Sequence, residues 1–393
     1  MGRMTQHRLP GWLIGLFVAT LALGTDEFVI AGLLPELAAD LQITTGTAGQ
    51  LITVFALTFA LGAPVMAVVL DPYPRRRVIL SALAVFMLAN LAAAIAPTFS
   101  SLIALRAVAG LAAAVVSSTA FAVAAQGAPS DRQGRYLSVV TAGLTVALFT
   151  GVPVGAWIGA LFGWRSTFVL ITVVALAAMI VLAAGLPQLE GAPAAGLVER
   201  LSPLRNVRVL RLVLAVTLCG AGGLMFYSYL SALLERSQGN MQALPWVLLL
   251  VGMIGVPSAF LGGRLADQYG GRRSRLIVVG GHALALVLVG SLIALSAPFP
   301  LLLLGMATWS IFAWALNPPL QASTIEAAPE APMTAISLNI SGLYLGTASA
   351  AGLGGIIVDG PGALWIPFAA AFALTLAWIS ASFRTSQPAE VTA

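Results

Sequence analysis

The chain has 393 residues, 59% of them apolar and 8% charged, with a mean hydropathy of +0.98. A soluble protein of this length needs far more polar surface, so its solvent must be lipid. The formal charge of +5 comes from nineteen basic residues, all arginine, against fourteen acidic ones; they lie between long apolar runs and not on one soluble basic face, which excludes a nucleic-acid-binding domain.

A helix needs about 20 apolar residues to cross the hydrocarbon core, with its backbone hydrogen bonds satisfied internally. Twelve such stretches run over roughly 11–33, 47–70, 77–96, 99–125, 136–160, 166–187, 209–232, 243–266, 276–296, 299–322, 333–357 and 363–383. Most connections are short and hold helix breakers, as at Ala96-Pro97-Thr98 and Ser296-Ala297-Pro298. The longest, 188–208, is rich in Pro, Gly, Glu and Arg and falls at the centre of the chain. The expected fold is therefore an all-α integral membrane protein of twelve transmembrane helices. Residues 1–187 and 209–393 form two six-helix bundles, joined by a solvated linker over 188–208.

Span 1 carries two adjacent acids, Asp26 and Glu27. An ion at mid-bilayer costs at least ~2.5–3.5 kcal/mol on insertion scales, so such a residue pairs, faces a wet cavity or serves function. Neighbouring helical residues point about 100° apart. Glu27 continues a small and polar stripe (Thr20, Gly24, Ala31), whereas Asp26 follows a greasier one (Ala19, Leu23, Ile30, Leu33). Glu27 is thus the better cavity candidate for proton coupling, with Asp26 beside it. Span 4 adds a lone intramembrane cation, Arg106; the structural alternative to proton coupling is a permanent Glu27–Arg106 ion pair.

The loop after span 2, VVLDPYPRRRVIL (68–80), is answered by LADQYGGRRSRL (265–276) after span 8. A shift of 196 residues carries Asp71 onto Asp267, Pro74 onto Gly270 and Arg76 onto Arg272. A repeat at about half the chain length points to duplicated bundles, the plan of a transporter. In span 5, Gly143, Ala147, Gly151, Gly155 and Gly159 fall every four residues beside Pro153, a groove in which another helix can come close.

Span 7 contributes Phe226, Tyr227 and Tyr229, span 10 contributes Trp309, Trp314 and Asn317, and span 11 contributes Asn339. Asn317-Pro318-Pro319 must interrupt span 10. One cysteine, Cys219, and two histidines, His7 and His282, allow no internal disulfide and no His/Cys metal centre. No cofactor, metal or enzyme activity is expected.

Alternating crossings leave both termini, the linker and the loops after even-numbered spans on one side, with 16 Arg; the other side holds Arg165 and Arg236. The positive-inside rule makes the first side cytoplasmic. The first apolar run is too long for a cleavable signal peptide, so it is expected to remain as a span.

The run LIALRAVAG (102–110), with Arg106 four residues before Gly110, resembles the span-4 signature of the major facilitator superfamily. The two repeated loops are similar to that family's Gly-x-Leu-Ala-Asp-x-x-Gly-Arg-Arg motif. The copy from Gly263 to Arg273 is close; the first has Ala67 and Pro74 where the motif has Gly. Gly151-Val-Pro153-Val-Gly155 resembles the antiporter motif of the twelve-span drug:proton antiporters, with Val152 interrupting the usual Gly-Pro order. The stretches 23–35 and 337–346 resemble the branch of chloramphenicol exporters and sugar or arabinose efflux permeases, in which Asp26 is a departure.

The resemblance implies a central cavity lined by spans 1, 4, 7 and 10, with Tyr227, Trp314, Asn317 and Asn339 as substrate-binding candidates. It also implies a cytoplasmic gate of Asp71, Arg75, Arg76, Arg135, Asp267 and Arg272, in which Asp71 engages the start of span 11 near Met333. The expected function is proton-coupled efflux of a drug-like amphipathic molecule, a chloramphenicol-type antibiotic or several drugs, from the bacterial cytoplasmic membrane. The partners are then a small-molecule substrate, protons and the lipid bilayer, and the working unit is a monomer. The alternatives are transport of a sugar, nucleoside or other metabolite by the same fold and, from another class, a non-transporting membrane receptor.

Overall fold

The computed structural model describes residues 10–129, 132–191, 205–238, 241–328 and 332–382. Among these the regular structure is helical. The first set comprises α1 (Gly11–Asp40), α2 (Thr45–Leu70), α3 (Arg75–Ala94), α4 (Phe99–Gly127), α5 (Gln133–Val146), α6 (Val152–Phe162) and α7 (Trp164–Gly185). The second comprises α8 (Val207–Ser228), α9 (Leu230–Gln238), α10 (Leu244–Ala294), α11 (Phe299–Trp314), α12 (Asn317–Ala327), α13 (Pro332–Asp359) and α14 (Ile366–Ser382). Most of the predicted linker, 192–204, lies outside the described residues.

Eleven helical stretches are long and apolar enough to cross a membrane, and the twelfth predicted span is found inside α10. That element runs for 51 residues but is broken at Gly270, with φ 75° and ψ 160°, a left-handed conformation that glycine adopts without the Cβ clash. The chain reverses there between predicted spans 8 and 9. The equivalent turn in the first set uses Pro74, whose fixed φ of −55° starts α3.

Three other spans are interrupted for local reasons. Pro153 has no N–H to give to the turn before it, and the chain widens into a π turn over Ala147–Gly151 between α5 and α6. Span 10 breaks into α11 and α12 ahead of Pro318 and Pro319. Span 7 ends at Ser228, with α9 continuing past Tyr229.

The packing follows lipid physics. Large apolar side chains such as Leu61, Leu88, Ile180, Leu284 and Phe372 point outward. The interior is rich in alanine and glycine, because helices in lipid gain by close van der Waals approach and not by hiding apolar surface. Helix α1 packs against α5, α6 and α7; α2 packs against α4 on one side and α13 on the other.

The duplicated loops do the same work at one face of the molecule. Arg76 donates to the carbonyl of Ala183 at the end of α7 (2.7 Å), and Arg272 to the carbonyl of Ser382 at the end of α14 (3.0 Å). Each arginine meets terminal carbonyls that lack partners within their own helix. Asp71 pairs with Arg75 at 2.8 Å. Asp267 and Arg135 are exposed, and the side chain of Met333 lies outside the described residues.

At the opposite, far face the two sets of helices are tied together. Asp359, at the end of α13, accepts from the Thr44 hydroxyl (2.6 Å) and the Gly46 amide (3.0 Å) at the start of α2. The Ser231 hydroxyl donates to the carbonyl of Ala31 (2.7 Å). Gly252 sits against Leu148 and Phe149 of the π turn. The structure is closed at this face.

Candidate functional site

The glycine stripe of span 5 seats α1. A Cβ at Gly143 would run into the hydroxyl of Thr20 and the carbonyl of Phe17, and one at Gly151 into the hydroxyl of Thr25. Gly155 and Gly159 face Val29 and Leu33. The Thr20 hydroxyl donates to the carbonyl of Val140 at 2.9 Å. Gly143, Gly151, Gly155 and Gly159 therefore lie along the helix that carries both acids, with Pro153 on the same span.

Asp26 points into the first bundle. Arg106 of α4 donates through Nη1 to its Oδ1 at 2.5 Å, and the two side chains are 1% and 0% exposed. A second guanidinium nitrogen reaches the Asp26 carbonyl at 3.4 Å, and the guanidinium lies over the Phe55 ring, 4.3 Å from its centroid. The ion-pair alternative, Glu27–Arg106, is not what forms: α4 meets α1 on the greasy stripe, and the partner of Arg106 is Asp26.

Glu27 points the other way, toward the second set of helices, and is half-buried. Its Oε2 accepts a 2.7 Å hydrogen bond from the hydroxyl of Tyr344 on α13. The Tyr344 ring is stacked on Phe59 of α2, with centroids 3.8 Å apart and planes 12° off parallel.

Next to the acid, three rings meet nearly at right angles. Phe28 of α1, Tyr227 of α8 and Trp314 of α11 lie 5.7, 5.8 and 6.2 Å apart pairwise, with interplanar angles of 86°, 80° and 85°. Such edge-to-face pairs set the positive edge of one ring against the negative face of another. Tyr227 is further backed by Trp309 at 6.5 Å, and Trp309 donates to His282 Nε2 at 3.0 Å. His282 thus acts as an acceptor inside the second bundle.

Among the predicted substrate residues, Tyr227 and Trp314 come together beside Glu27. Asn317 is exposed at the start of α12, and the Asn339 amide is buried between α12 and α13, donating to Thr324 Oγ1 at 3.3 Å. Sequence reading missed Phe28, Phe59 and Tyr344, which resemble any aromatic of a membrane helix. The signal available for Tyr344 was a hydroxyl within an apolar span, which usually needs a partner. It also missed Arg275, buried behind the second repeated loop, which donates to Ser323 (2.8 Å) and to the carbonyl of Ala381.

Arranged this way, the site offers a carboxylate that can exchange a proton or meet a cation, a neighbouring buried ion pair, and an aromatic wall shared by both sets of helices.

Comparison with known proteins shows the family of the chain. Residues 16–331 match the model of the Major Facilitator Superfamily. The uncharacterized MFS-type transporter YbcL of Bacillus subtilis is 32% identical, covering 95% of each chain. The inner membrane transport protein YdhP of Escherichia coli is 31% identical over 94% of this chain and 95% of its own. A chloramphenicol resistance protein of Streptomyces lividans is 33% identical over 87% of each. Among solved structures, a D-xylose-proton symporter shares the fold with a TM-score of 0.74 at 17% identity, over 94% of this chain and 96% of that one. A peptide transporter does so with a TM-score of 0.77 at 13% identity, over 96% and 95%. The chain belongs to the Major Facilitator Superfamily of multi-pass membrane transporters.

Proposed function

We propose that this transporter is a proton-coupled exporter of drug-like amphipathic molecules. Glu27 is the proton site, and the rings of Phe28, Tyr227 and Trp314 form part of the substrate wall. The observation that carries this reading is the half-buried Glu27 carboxylate at the junction of the two sets of helices, bonded across that junction to Tyr344. An acid in that position feels whether the halves are together, and its occupancy by a proton or by a cationic or polar substrate group biases which arrangement is favoured. Asp26 and Arg106 form the neighbouring pair that sets the field at Glu27.

Residues 1–187 rock against 209–393 around this centre. The arginine-rich face with both termini is cytoplasmic by the positive-inside rule, so the face closed by Asp359 and Ser231 is the outer one. The seating of α1 on the span-5 glycine stripe supports export over uptake, and the chloramphenicol resistance relative supports an antibiotic-like substrate.

The test is substrate-evoked proton movement in proteoliposomes, run with a substrate panel that includes chloramphenicol. Wild-type protein is expected to exchange protons for at least one amphipathic drug, and Glu27→Gln to bind that drug without moving protons. Accumulation of ligand in energised cells would identify an importer. Binding without any proton-dependent flux would identify a receptor. Coupling in Glu27→Gln equal to wild type would move the proton site elsewhere.

A further inference from the structure

Tyr344 is one side chain of the second set of helices held by two helices of the first. Its hydroxyl donates to Glu27 of α1 at 2.7 Å, and its ring lies flat on Phe59 of α2 at 3.8 Å. Among the described residues, the titratable and charged groups near Glu27 are Asp26 on its own helix, Arg106 on α4, Tyr227 on α8 and Tyr344 on α13. Arg106 is already engaged by Asp26 at 2.5 Å, and Tyr227 is held edge-to-face against Phe28 and Trp314. Among the described residues, Tyr344 is therefore the group that meets the Glu27 carboxylate from across the junction through a direct hydrogen bond.

A proton arriving on the bonded carboxylate oxygen competes with the Tyr344 O–H for that oxygen. The same Tyr344 contact also requires α13 to lie close to α1 and α2, on the side of the molecule where Asp359 and Ser231 close the far face. Protonation of Glu27 and closure of the far face therefore act on one bond.

We propose that Tyr344 is a positioning residue that links the proton on Glu27 to closure of the far face. With the halves together it donates to the ionised carboxylate. When α13 withdraws with its half, Glu27 loses that donor and takes a proton from water on the far side. When α13 returns, the phenol reclaims the oxygen and the proton leaves to water on the opposite side; Tyr344 keeps its own proton throughout. The cycle moves protons inward, the direction that drives export. This inference rests on the reading of Glu27 as the proton site.

The experiment compares wild type, Tyr344→Phe and Tyr344→Ala in proteoliposomes, with Glu27→Gln alongside. It reads the pH dependence of substrate-evoked proton movement and the distance between spin labels at positions 95 and 364, on either side of the far face, in a Cys219→Ser background. Tyr344→Phe keeps the stack on Phe59 and loses the donor, and is expected to move the pH midpoint upward by about one unit, the order expected from one hydrogen bond to a charged group. Tyr344→Ala is expected to add a larger far-side-open population. In protein with Tyr344 intact, that population should grow as pH falls through the transport midpoint, a measurement that does not depend on a variant folding.

A wild-type midpoint in Tyr344→Phe, or a label distance independent of pH with Tyr344 intact, overturns the link even if Glu27→Gln has lost coupling. Persistence of coupling in Glu27→Gln is a different failure: it overturns the assignment of Glu27 itself.

Discussion

Asp26 and Glu27 are adjacent, carry the same charge and lie at the same depth, yet their surroundings have little in common. Asp26 is sealed inside one bundle against Arg106, with both side chains essentially unexposed. Glu27, about 100° around the helix, is half-buried at the junction of the halves, and its hydrogen-bond partner belongs to the other half. A charge whose partner is on the same rigid body keeps that partner through a rocking motion. One whose partner is on the other body loses it. The contrast teaches that in this fold the rotation of a helix, more than the chemistry of a side chain, decides whether a charge finds its partner within one set of helices or across the junction.

The largest effect is expected from breaking the sealed pair. Arg106→Ala leaves Asp26 buried without its cation, and removing one partner of a buried pair typically costs about 3–5 kcal/mol. The variant should have lower yield and a lower unfolding temperature in detergent, and no transport per folded molecule. Arg106→Lys retains the charge but loses the second nitrogen at the Asp26 carbonyl and the flat contact with Phe55; it should recover yield and little activity. Wild-type specific transport by the lysine variant would show that Arg106 acts as a point charge, and the contrast between the two acids would then rest on field alone.

Glu27→Gln is the complementary test. The amide retains an acceptor for Tyr344 and removes a half-buried charge, so stability should stay within about 1 kcal/mol of wild type, an ordinary range for an isosteric change. Proton coupling should vanish. If thermal unfolding instead falls as far as in Arg106→Ala, Glu27 is as structural as its neighbour.

Between these lies a test of the helix that holds both. Gly151→Ala places a methyl against the hydroxyl and Cβ of Thr25, next to Asp26. Overpacking of this kind typically costs about 1–3 kcal/mol, and here it must push α1 away from the span-5 stripe. Transport should drop several-fold with the pH midpoint displaced, because both carboxylates move with the helix. An additional Thr25→Ala change, which vacates the space, should restore most of the activity. Failure of that rescue would mean that the stripe has a role other than seating α1.

Much of this arrangement was legible in the sequence, and the reasons differ by residue. The spans follow from apolar length, and the repeat follows from Asp71 and Asp267. That Asp26 and Glu27 point in different directions follows from helical geometry, and the small and polar stripe marks Glu27 as the one that is only half-buried. The partner of Arg106 did not follow, because it depends on how α4 crosses α1, which single-helix periodicity does not contain. Tyr344 was illegible for the same reason: its significance lies in meeting Glu27 from 317 residues away. The two turns of the repeat look unlike in sequence, Pro74 against Gly270, and prove equivalent because a fixed negative φ and a permitted positive φ each reverse the chain.

The smallest expected effect tests whether the contrast extends to the membrane surface. Asp71 is paired within its own turn to Arg75 at 2.8 Å and is 17% exposed, and it is also the residue proposed to engage the amino terminus of α13 when the cytoplasmic face closes. A carboxylate at a helix terminus contributes about 0.3–1 kcal/mol when exposed and up to ~2 when partly buried. Asp71→Asn should therefore shift the ratio of inward-open to outward-open molecules by a factor of roughly two to thirty. Ligand affinity should change less than the rate of cycling, because Asp71 lies in the turn after α2 whereas the aromatic wall is built on α1, α8 and α11. Paired labels across the cytoplasmic face would read the populations, and single-turnover transport would read the rate. An unchanged distribution would class Asp71 with Asp26, as a charge whose partner is local and permanent; a shifted one would class it with Glu27, as a charge that changes partners when the halves move.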